Sequence, residues 1–135
     1  MARWLLKTEP SDYAYDDLER AGKAVWDGVR NAVALKHLRS IRKGDEVLVY
    51  HTGDEKAVVG VAEVVKPAYP DPKFPEGKLL VVDIEARGKL GRPVTLAEIK
   101  ALGEFEDSPL VRMGRLSVVP LTAAQWKAIE VLCKA

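Results

Sequence analysis

The stretch that decides the fold is Glu46–His51 (EVLVYH), followed by Thr52–Lys56 (TGDEK) and Ala57–Val65 (AVVGVAEVV). Two runs rich in β-branched residues lie on either side of a five-residue polar loop, which predicts an antiparallel hairpin. A doubly wound parallel sheet would instead need a long crossover, usually a helix, between such strands. The hairpin therefore favours an α+β fold, a small mixed or mainly antiparallel β-barrel that carries short helices.

Upstream of the hairpin, the sequence predicts a strand at 3–7, a short helix at 16–20 and a longer helix from about Val33 to Ile41. Gly22 provides the stop signal for the first helix. The longer helix is predicted because Leu35, Leu38 and Ile41 recur at helical spacing.

Downstream, Pro67, Pro70, Pro72 and Pro75 predict an irregular loop that contains Tyr69. The remaining predicted elements alternate between strands and capped helices. They are a strand at 79–86, helices opened by Thr95 with Glu98 and by Ser108–Pro109, a strand at 116–120, and a closing helix capped by Thr122 with Gln125.

The composition indicates one globular domain spanning residues 1–135, with 47% hydrophobic and 30% charged residues. Twenty-one basic residues face 20 acidic ones, so the net charge of +1 predicts no general affinity for nucleic acid or membranes. Glu63 ends the apolar run that starts at Ala57, so no membrane-spanning segment is expected. The single cysteine, Cys133, fits a reducing compartment, and we expect a cytoplasmic monomer.

Metal and phosphate-loop chemistry have no support in the sequence. Two histidines and one cysteine do not provide zinc-site spacings, and Gly88, Gly91 and Gly103 match no phosphate-binding pattern. We therefore expect no metal and no cofactor.

The hexapeptide Trp26–Asn31 (WDGVRN) combines groups suited to a planar heterocycle. Trp26 offers a π face, Arg30 a planar cation and Asn31 a paired donor and acceptor, while Asp27–Gly28 is a turn signal. A flipped-out base needs such a face to stack on and polar groups at its edge. The alternative is that Trp26 is a core residue beside a turn.

The helix after the hexapeptide has charge of one sign. No acidic residue occurs between Gly28 and Gly44, and the basic residues there are Arg30, Lys36, Arg39, Arg42 and Lys43. Such a run is typical of a solvated face, but next to a base pocket it predicts phosphate contacts.

A hydrolytic alternative uses Lys7, Thr8 and Glu63. A lysine whose pKa is lowered by burial, a hydroxyl and a carboxylate could together run an amide hydrolysis. The competing interpretation is that Lys7 and Glu63 form an ion pair at the barrel mouth or are exposed.

Several motifs occur in order along the chain: Trp4–Pro10 (WLLKTEP), Trp26–Asn31, Lys43–Asp45 (KGD), Tyr50–His51, Gly60–Val64 (GVAEV), Ala68–Asp71 (AYPD), Pro109–Arg112 (PLVR) and Gly114–Val118 (GRLSV). Together they closely resemble EVE-domain proteins, and the resemblance runs from residue 4 to about 130. The resemblance implies a PUA-like fold, a bent β-barrel related to YTH domains. It also implies binding of modified bases, such as methylated or hydroxymethylated cytosine, in DNA or RNA. ASCH-type relatives of the same superfamily include small amidohydrolases acting on acylated nucleosides, which keeps the hydrolytic alternative open.

The resemblance also implies a site. Its expected ligand-binding residues are Lys7, Thr8, Glu9, Pro10, Trp26, Asp27, Gly28, Val29, Arg30, Asn31, Tyr50, His51, Tyr69 and Pro70. Arg112 and Arg115, together with Lys36, Arg39, Arg42 and Lys43, are expected to hold phosphates. We expect a base in DNA or RNA, or a modified nucleotide, to stack on Trp26 while Asn31 and the backbone near Lys7–Glu9 read its edge. As a residue that lines a pocket, Trp26 should tolerate truncation to Ala without unfolding.

Overall fold

A computed structural model describes residues 2–74, 77 and 79–134. Six strands form one sheet in the order β2-β5-β4-β3-β1-β6. The strands are β1 (Arg3–Thr8), β2 (Lys23–Trp26), β3 (Glu46–His51), β4 (Ala57–Pro70), β5 (Leu80–Thr95) and β6 (Val118–Leu121). The helices are α1 (Tyr15–Ala21), α2 (Ala32–Ser40), α3 (Leu96–Lys100), α4 (Pro109–Arg112) and α5 (Ala123–Cys133), with a 3₁₀ turn at Gly103–Phe105.

The predicted hairpin of β3 and β4 is present, with register running from Glu46 opposite Glu63 to His51 opposite Ala57. Strands β1 and β3 are parallel, and the other neighbouring pairs are antiparallel. Register shifts at four points along β4 and β5 bend these two long strands. The predicted α+β fold, a bent and mainly antiparallel sheet with short helices, is confirmed.

Two strands extend well beyond their predicted ends. Strand β5 continues past Gly88 to Thr95, and β4 continues through Pro67 to Pro70, where the sequence predicted an irregular loop. Pro67 is accommodated because it lies in the register shift between Lys66 and Tyr69, where a ladder donor is not needed. The predicted loop residue Pro75 lies outside the described residues.

Tyr15 fixes α1, and with it the loop after β1, against the sheet. Its hydroxyl donates to the Val61 carbonyl at 2.6 Å and accepts the N–H of Gly88 at 2.9 Å. A Cβ at Gly60 would lie 2.4 Å from the Tyr15 ring, so only glycine allows this approach. The loop between β1 and α1 is therefore held at a fixed position.

Helix α2 begins where the hexapeptide ends. The Asn31 side chain accepts the N–H groups of Val33 and Ala34, which makes it the N-cap. Leu35, Leu38 and the following Ile41 are buried, as the helical spacing predicted. The helix packs on β4, β5 and β6.

Candidate functional site

The ends of β1 and β2, the loop after β1 and the turn after β2 enclose a cavity of about 580 Å³. Its lining residues are Lys7, Thr8, Glu9, Asp12, Tyr13, Ala24, Val25, Trp26, Asp27 and Gly28. The fold therefore brings the Lys7–Glu9 segment against Trp26–Gly28, although some 17 residues separate them along the chain. The volume lies within the range of about 300–1,000 Å³ typical of small-ligand sites.

Two aromatic side chains form a corner of this cavity. The rings of Tyr13 and Trp26 meet edge to face, with centroids 6.1 Å apart and planes inclined at 81°. Trp26 is only 7% exposed and belongs to the hydrophobic core, so it is both a core residue and a pocket wall. Sequence reasoning missed Tyr13, and an aromatic residue three positions after Pro10 was its only signal.

Internal hydrogen bonds hold the loop that carries Tyr13. The Thr8 hydroxyl donates to the Tyr13 carbonyl at 2.7 Å, and the Glu9 carbonyl accepts the N–H groups of Asp12 and Tyr13, both at 2.9 Å. The Thr8 carbonyl accepts the N–H of Thr52. Because these carbonyls already have partners, the lining side chains are the more accessible polar groups for reading a base edge.

Lys7 lies between this cavity and a smaller one of about 140 Å³. Its Nζ donates to the Gly114 carbonyl at 2.9 Å and lies 5.5 Å from the centroid of the Tyr50 ring. Burial lowers the pKa of this ammonium group from its ordinary value. Tyr50, which is expected from the resemblance to bind ligand, lines the smaller cavity behind Lys7.

His51 has a positioning role in the structure. Its Nε2 accepts the N–H of Tyr15 at 3.0 Å, and its Nδ1 lies 2.8 Å from a Glu55 carboxylate oxygen. The neutral ring therefore carries its proton on Nδ1, and the side chain ties the start of α1 to the end of β3.

Acidic groups dominate the charged lining of the main cavity. Glu9 accepts from the Thr52 hydroxyl at 3.2 Å, and Asp27 pairs with Lys73 at 3.0 Å. Asp12 is exposed at the rim. Three carboxylates against one lysine make this lining unfavourable for a phosphate and suitable for hydrogen-bond donors.

The other expected ligand-binding residues lie outside the cavity lining. Pro10 lies in the turn after Glu9, Val29 is 5% exposed in the core, and Arg30 lies over the Phe74 ring. The side-chain oxygen of Asn31, Oδ1, accepts hydrogen bonds in the helix cap, which leaves the side-chain amino group for a ligand.

Tyr69 and Pro70 form the end of β4, not part of a loop as expected. Tyr69 is in register with Val81, whereas Trp26 is in register with Val82, so the two aromatic residues belong to opposite faces of the sheet. The Tyr69 hydroxyl donates to Asp83 at 2.6 Å, and this bond, with burial, raises the pKa of Tyr69 to about 12.

The structure does not bring Glu63 to Lys7 and Thr8, the residues of the hydrolytic alternative. Lys7 is in register with Tyr50, whereas Glu63 is opposite Glu46, which in turn is opposite Arg3. Lys7 lies four residues along β1 from Arg3, and therefore about 13 Å from the cross-strand row that contains Glu63. Glu63 is also two strands away from β1. Glu63 pairs with Arg87 at 3.2 Å instead.

The basic side chains predicted to hold phosphates are all exposed: Lys36, Arg39, Arg42, Lys43, Arg112 and Arg115. Lys36 and Arg39 lie on α2, which is about 13 Å long and begins four residues after Gly28 of the cavity lining. Arg112 is paired with Asp107 at 3.1 Å, which reduces its availability. Arg115 follows Gly114, whose carbonyl accepts from Lys7, so it lies at the Lys7 side of the cavity.

A second cavity, of about 620 Å³, lies between α5 and β5. Two of its cations already have carboxylate partners, since Lys89 pairs with Asp16 at 2.6 Å and Arg92 with Glu98 at 2.7 Å. None of the expected ligand-binding residues lines it. We therefore regard the cavity of about 580 Å³, walled by Tyr13 and Trp26, as the functional one.

Within residues 2–74, 77 and 79–134, no group of three or more His, Cys, Asp or Glu side chains could hold a metal ion. No helix of the described chain is long and apolar enough to cross a membrane. The expected cytoplasmic location and monomeric state remain predictions.

Comparison with known proteins identifies the family. A Rhodopseudomonas palustris protein solved by NMR is 43% identical, with a TM-score of 0.89 over 99% of this chain and 92% of that chain. Thymocyte nuclear protein 1 of Mus musculus is 30% identical over 160 residues, covering 93% of this chain and 71% of that protein.

The human THYN1 protein, solved in complex with DNA containing 5-methylcytosine, is 27% identical, with a TM-score of 0.94 over 100% of this chain and 99% of that chain. An ASCH protein from Zymomonas mobilis shares the fold alone, at 12% identity and a TM-score of 0.57 over 96% of this chain and 94% of that chain. The predicted PUA-like bent barrel is thus confirmed. The EVE domain model matches residues 2–132, and this chain belongs to the EVE-domain family.

Proposed function

We propose that this chain is a reader of modified nucleobases in DNA or RNA, which accepts a flipped-out base in the cavity between Lys7–Glu9 and Trp26–Gly28. The observation that carries the proposal is the cavity itself, about 580 Å³ with the Tyr13–Trp26 corner as its aromatic wall. The human relative solved with 5-methylcytosine-containing DNA supports the ligand class.

The charge of the lining supports a base rather than a phosphate as the group inside. A carboxylate accepts hydrogen bonds and repels phosphate, and it pairs well with the exocyclic amino group of cytosine. The acidic lining at Asp12 and Asp27 therefore favours a base with an amino group at its edge. The phosphates remain outside, near α2 and Arg115.

Stacking on Trp26 alone does not give net binding free energy, so edge hydrogen bonds and phosphate contacts are also needed. Flipping a base out of a stack costs a few kcal/mol, and stacking on one aromatic side chain returns about 1–3 kcal/mol. Stacking on Trp26 therefore offsets the flip, and net affinity comes from edge hydrogen bonds and phosphate contacts. Single-stranded or damaged sites, where flipping costs least, should bind most tightly.

The test compares three nucleosides: 5-methyl-2′-deoxycytidine, thymidine, which shares its 5-methyl group but lacks the amino group, and unmethylated deoxycytidine. Calorimetric titration should give tighter binding of 5-methyl-2′-deoxycytidine than of thymidine, because only the former has the amino group. It should also bind more tightly than unmethylated deoxycytidine. Equal affinity for all three nucleosides would contradict a modified-base reader.

Trp26→Ala is a poor probe of the pocket, contrary to the expectation that the fold would tolerate it. A buried Trp truncated to Ala costs about 3–5 kcal/mol of stability. Trp26→Leu keeps apolar volume and removes the π face, so we expect binding of the modified nucleoside to weaken about tenfold. Trp126→Leu is the matched control, because Trp126 is 6% exposed and lines the other cavity. It should lower thermal stability similarly and leave nucleoside affinity unchanged.

A further inference from the structure

The loop between β4 and β5 contacts the segment that follows the pocket wall. Lys73 Nζ lies 3.0 Å from a carboxylate oxygen of Asp27, which lines the cavity. The Arg30 guanidinium lies 5.4 Å from the centroid of the Phe74 ring. These two contacts place Phe74 near the segment that lines the cavity, although neither Arg30 nor Phe74 lines it.

The position of Phe74 is not explained by core packing. Its side chain is 37% exposed, and it is absent from the hydrophobic core cluster to which Trp26 belongs. A guanidinium over one face of an aromatic ring forms a layered cation–π pair, in which the outer plane of the guanidinium and the uncovered part of the ring can each stack with a further planar group. Such surfaces stack with nucleobases of any sequence, since every base has a π face.

The surroundings favour a polyanion over a protein partner. Arg30 begins the run of basic residues that continues along α2 through Lys36 and Arg39, with no acidic residue before Gly44. Lys36 and Arg39 are exposed on that helix. Along the chain, Arg30 therefore lies between Asp27 of the cavity lining and the exposed basic side chains of α2.

We propose that the Arg30–Phe74 pair is a second stacking site, which takes the base next to the flipped one in the same strand. This inference rests on the proposed function of the cavity and adds a subsite to it. The pocket selects the modified base, and the Arg30–Phe74 pair adds affinity for oligonucleotides without selecting sequence. The second site also makes a nucleic acid bind more tightly than a free nucleoside, because a nucleoside has no neighbouring base to stack there.

The experiment uses three ligands that differ only in what flanks the modified base. They are 5-methyl-2′-deoxycytidine, a single-stranded trinucleotide with 5-methylcytosine at its centre, and the same trinucleotide with abasic flanking positions. The abasic strand keeps the phosphates and removes the bases that could stack. Wild-type protein should bind the complete trinucleotide about tenfold more tightly than the abasic one, as expected for one stacked base.

Phe74→Ala should abolish that tenfold difference and leave nucleoside affinity unchanged. Val131→Ala is the matched control, since Val131 is a 59% exposed apolar residue on α5, and it should retain the difference. If Phe74→Ala also retains it, the second stacking site does not exist, although the reader function survives. If wild-type protein binds none of the three ligands, both the proposed function and this subsite are wrong.

Discussion

Tyr13 illustrates what single residues contribute to the pocket. Its ring meets Trp26 edge to face, and its carbonyl is held by Thr8, so it is a fixed wall rather than a mobile side chain. Tyr13→Ala should weaken binding of 5-methyl-2′-deoxycytidine at least fivefold, because about 1 kcal/mol or more of aromatic contact is lost. Tyr13→Phe should bind within twofold of wild type in the same titration. Normal binding by Tyr13→Ala would mean that the ligand uses Trp26 alone.

Glu98 should make the stability of the protein depend on pH. Its bonds to Arg92 and to the Thr95 backbone lower the pKa of Glu98 from 4.5 to about 2. Because the pKa in the folded state is depressed, the stabilisation is complete above about pH 4.5 and is lost as the pH falls through 2. Glu98→Gln should lower the melting temperature at pH 7, and the gap from wild type should close towards pH 2. A pH-independent gap would mean that the charge of Glu98 contributes nothing.

The sequence predicted which segments meet at the cavity better than it predicted what individual side chains bind. The motif residues of Lys7–Glu9 and Trp26–Gly28 do meet around one cavity. The Asn31 side chain accepts the N–H of Val33 in a helix cap, and the His51 ring accepts the N–H of Tyr15. These backbone groups compete with a ligand for the two side chains, and only the folded chain reveals that competition. Tyr13 carries no motif and becomes visible once the loop after β1 folds back on β2.

At the scale of elements, α2 supplies both core and charge. Leu38 is fully buried in its inner face, so Leu38→Asp would place an unpaired carboxylate in the core at a cost of about 3–5 kcal/mol. That is a large part of the 5–15 kcal/mol that stabilises a typical domain. We expect the variant to unfold or precipitate, whereas Val33→Asp, at a 40% exposed position, should melt near wild type. An unchanged melting temperature for Leu38→Asp would contradict the packing of this face.

The exposed basic side chains on α2 and directly after it should govern the dependence of binding on salt. Phosphate contacts contribute affinity without base specificity, and each one changes the slope of log K against log salt by about 0.7 in single strands. Arg39→Ala/Arg42→Ala should thus weaken modified and unmodified oligonucleotides equally and flatten the slope by about 1.4. The control Lys100→Ala/Lys127→Ala removes exposed cations from α3 and α5 and should leave the slope unchanged. A slope unaffected by Arg39→Ala/Arg42→Ala would place the phosphates elsewhere.

Elements with strong local signals were predicted well, and those that depend on partners were not. The caps at Thr95, Ser108 and Thr122 all bond as their sequences indicated. Strand β2 was missed because its four residues have a strand conformation only through pairing with β5. The far half of β5 was missed because Gly88 and Gly91 resemble turn residues, whereas Gly88 lies in a register shift opposite Val61.

At the scale of the whole molecule, the arrangement of charge matters more than its total. The net charge of only +1 includes a basic helix, α2, and a cavity whose lining is mainly acidic. The cavity lies between the end of β1, where Lys7 donates to the Gly114 carbonyl, and the turn after β2 that precedes α2. This arrangement fits one role for the interior, selection of a neutral base, and another for the exterior, retention of the phosphate chain.

The same arrangement bears on whether the chain also catalyses a reaction. Amide hydrolysis would need an activated nucleophile within about 3 Å of its base. The Lys7 ammonium instead donates to Gly114, the Thr8 hydroxyl donates to Tyr13, and Glu63 lies at another level of the sheet. We therefore expect an N4-acylated cytidine to remain intact during prolonged incubation with the protein, as measured by liquid chromatography of the released acid. Release above the buffer blank that disappears in Lys7→Ala would overturn the reader function, because binding alone leaves the amide bond whole. Release that persists in Lys7→Ala would mean that catalysis uses groups outside the Lys7, Thr8 and Glu63 set.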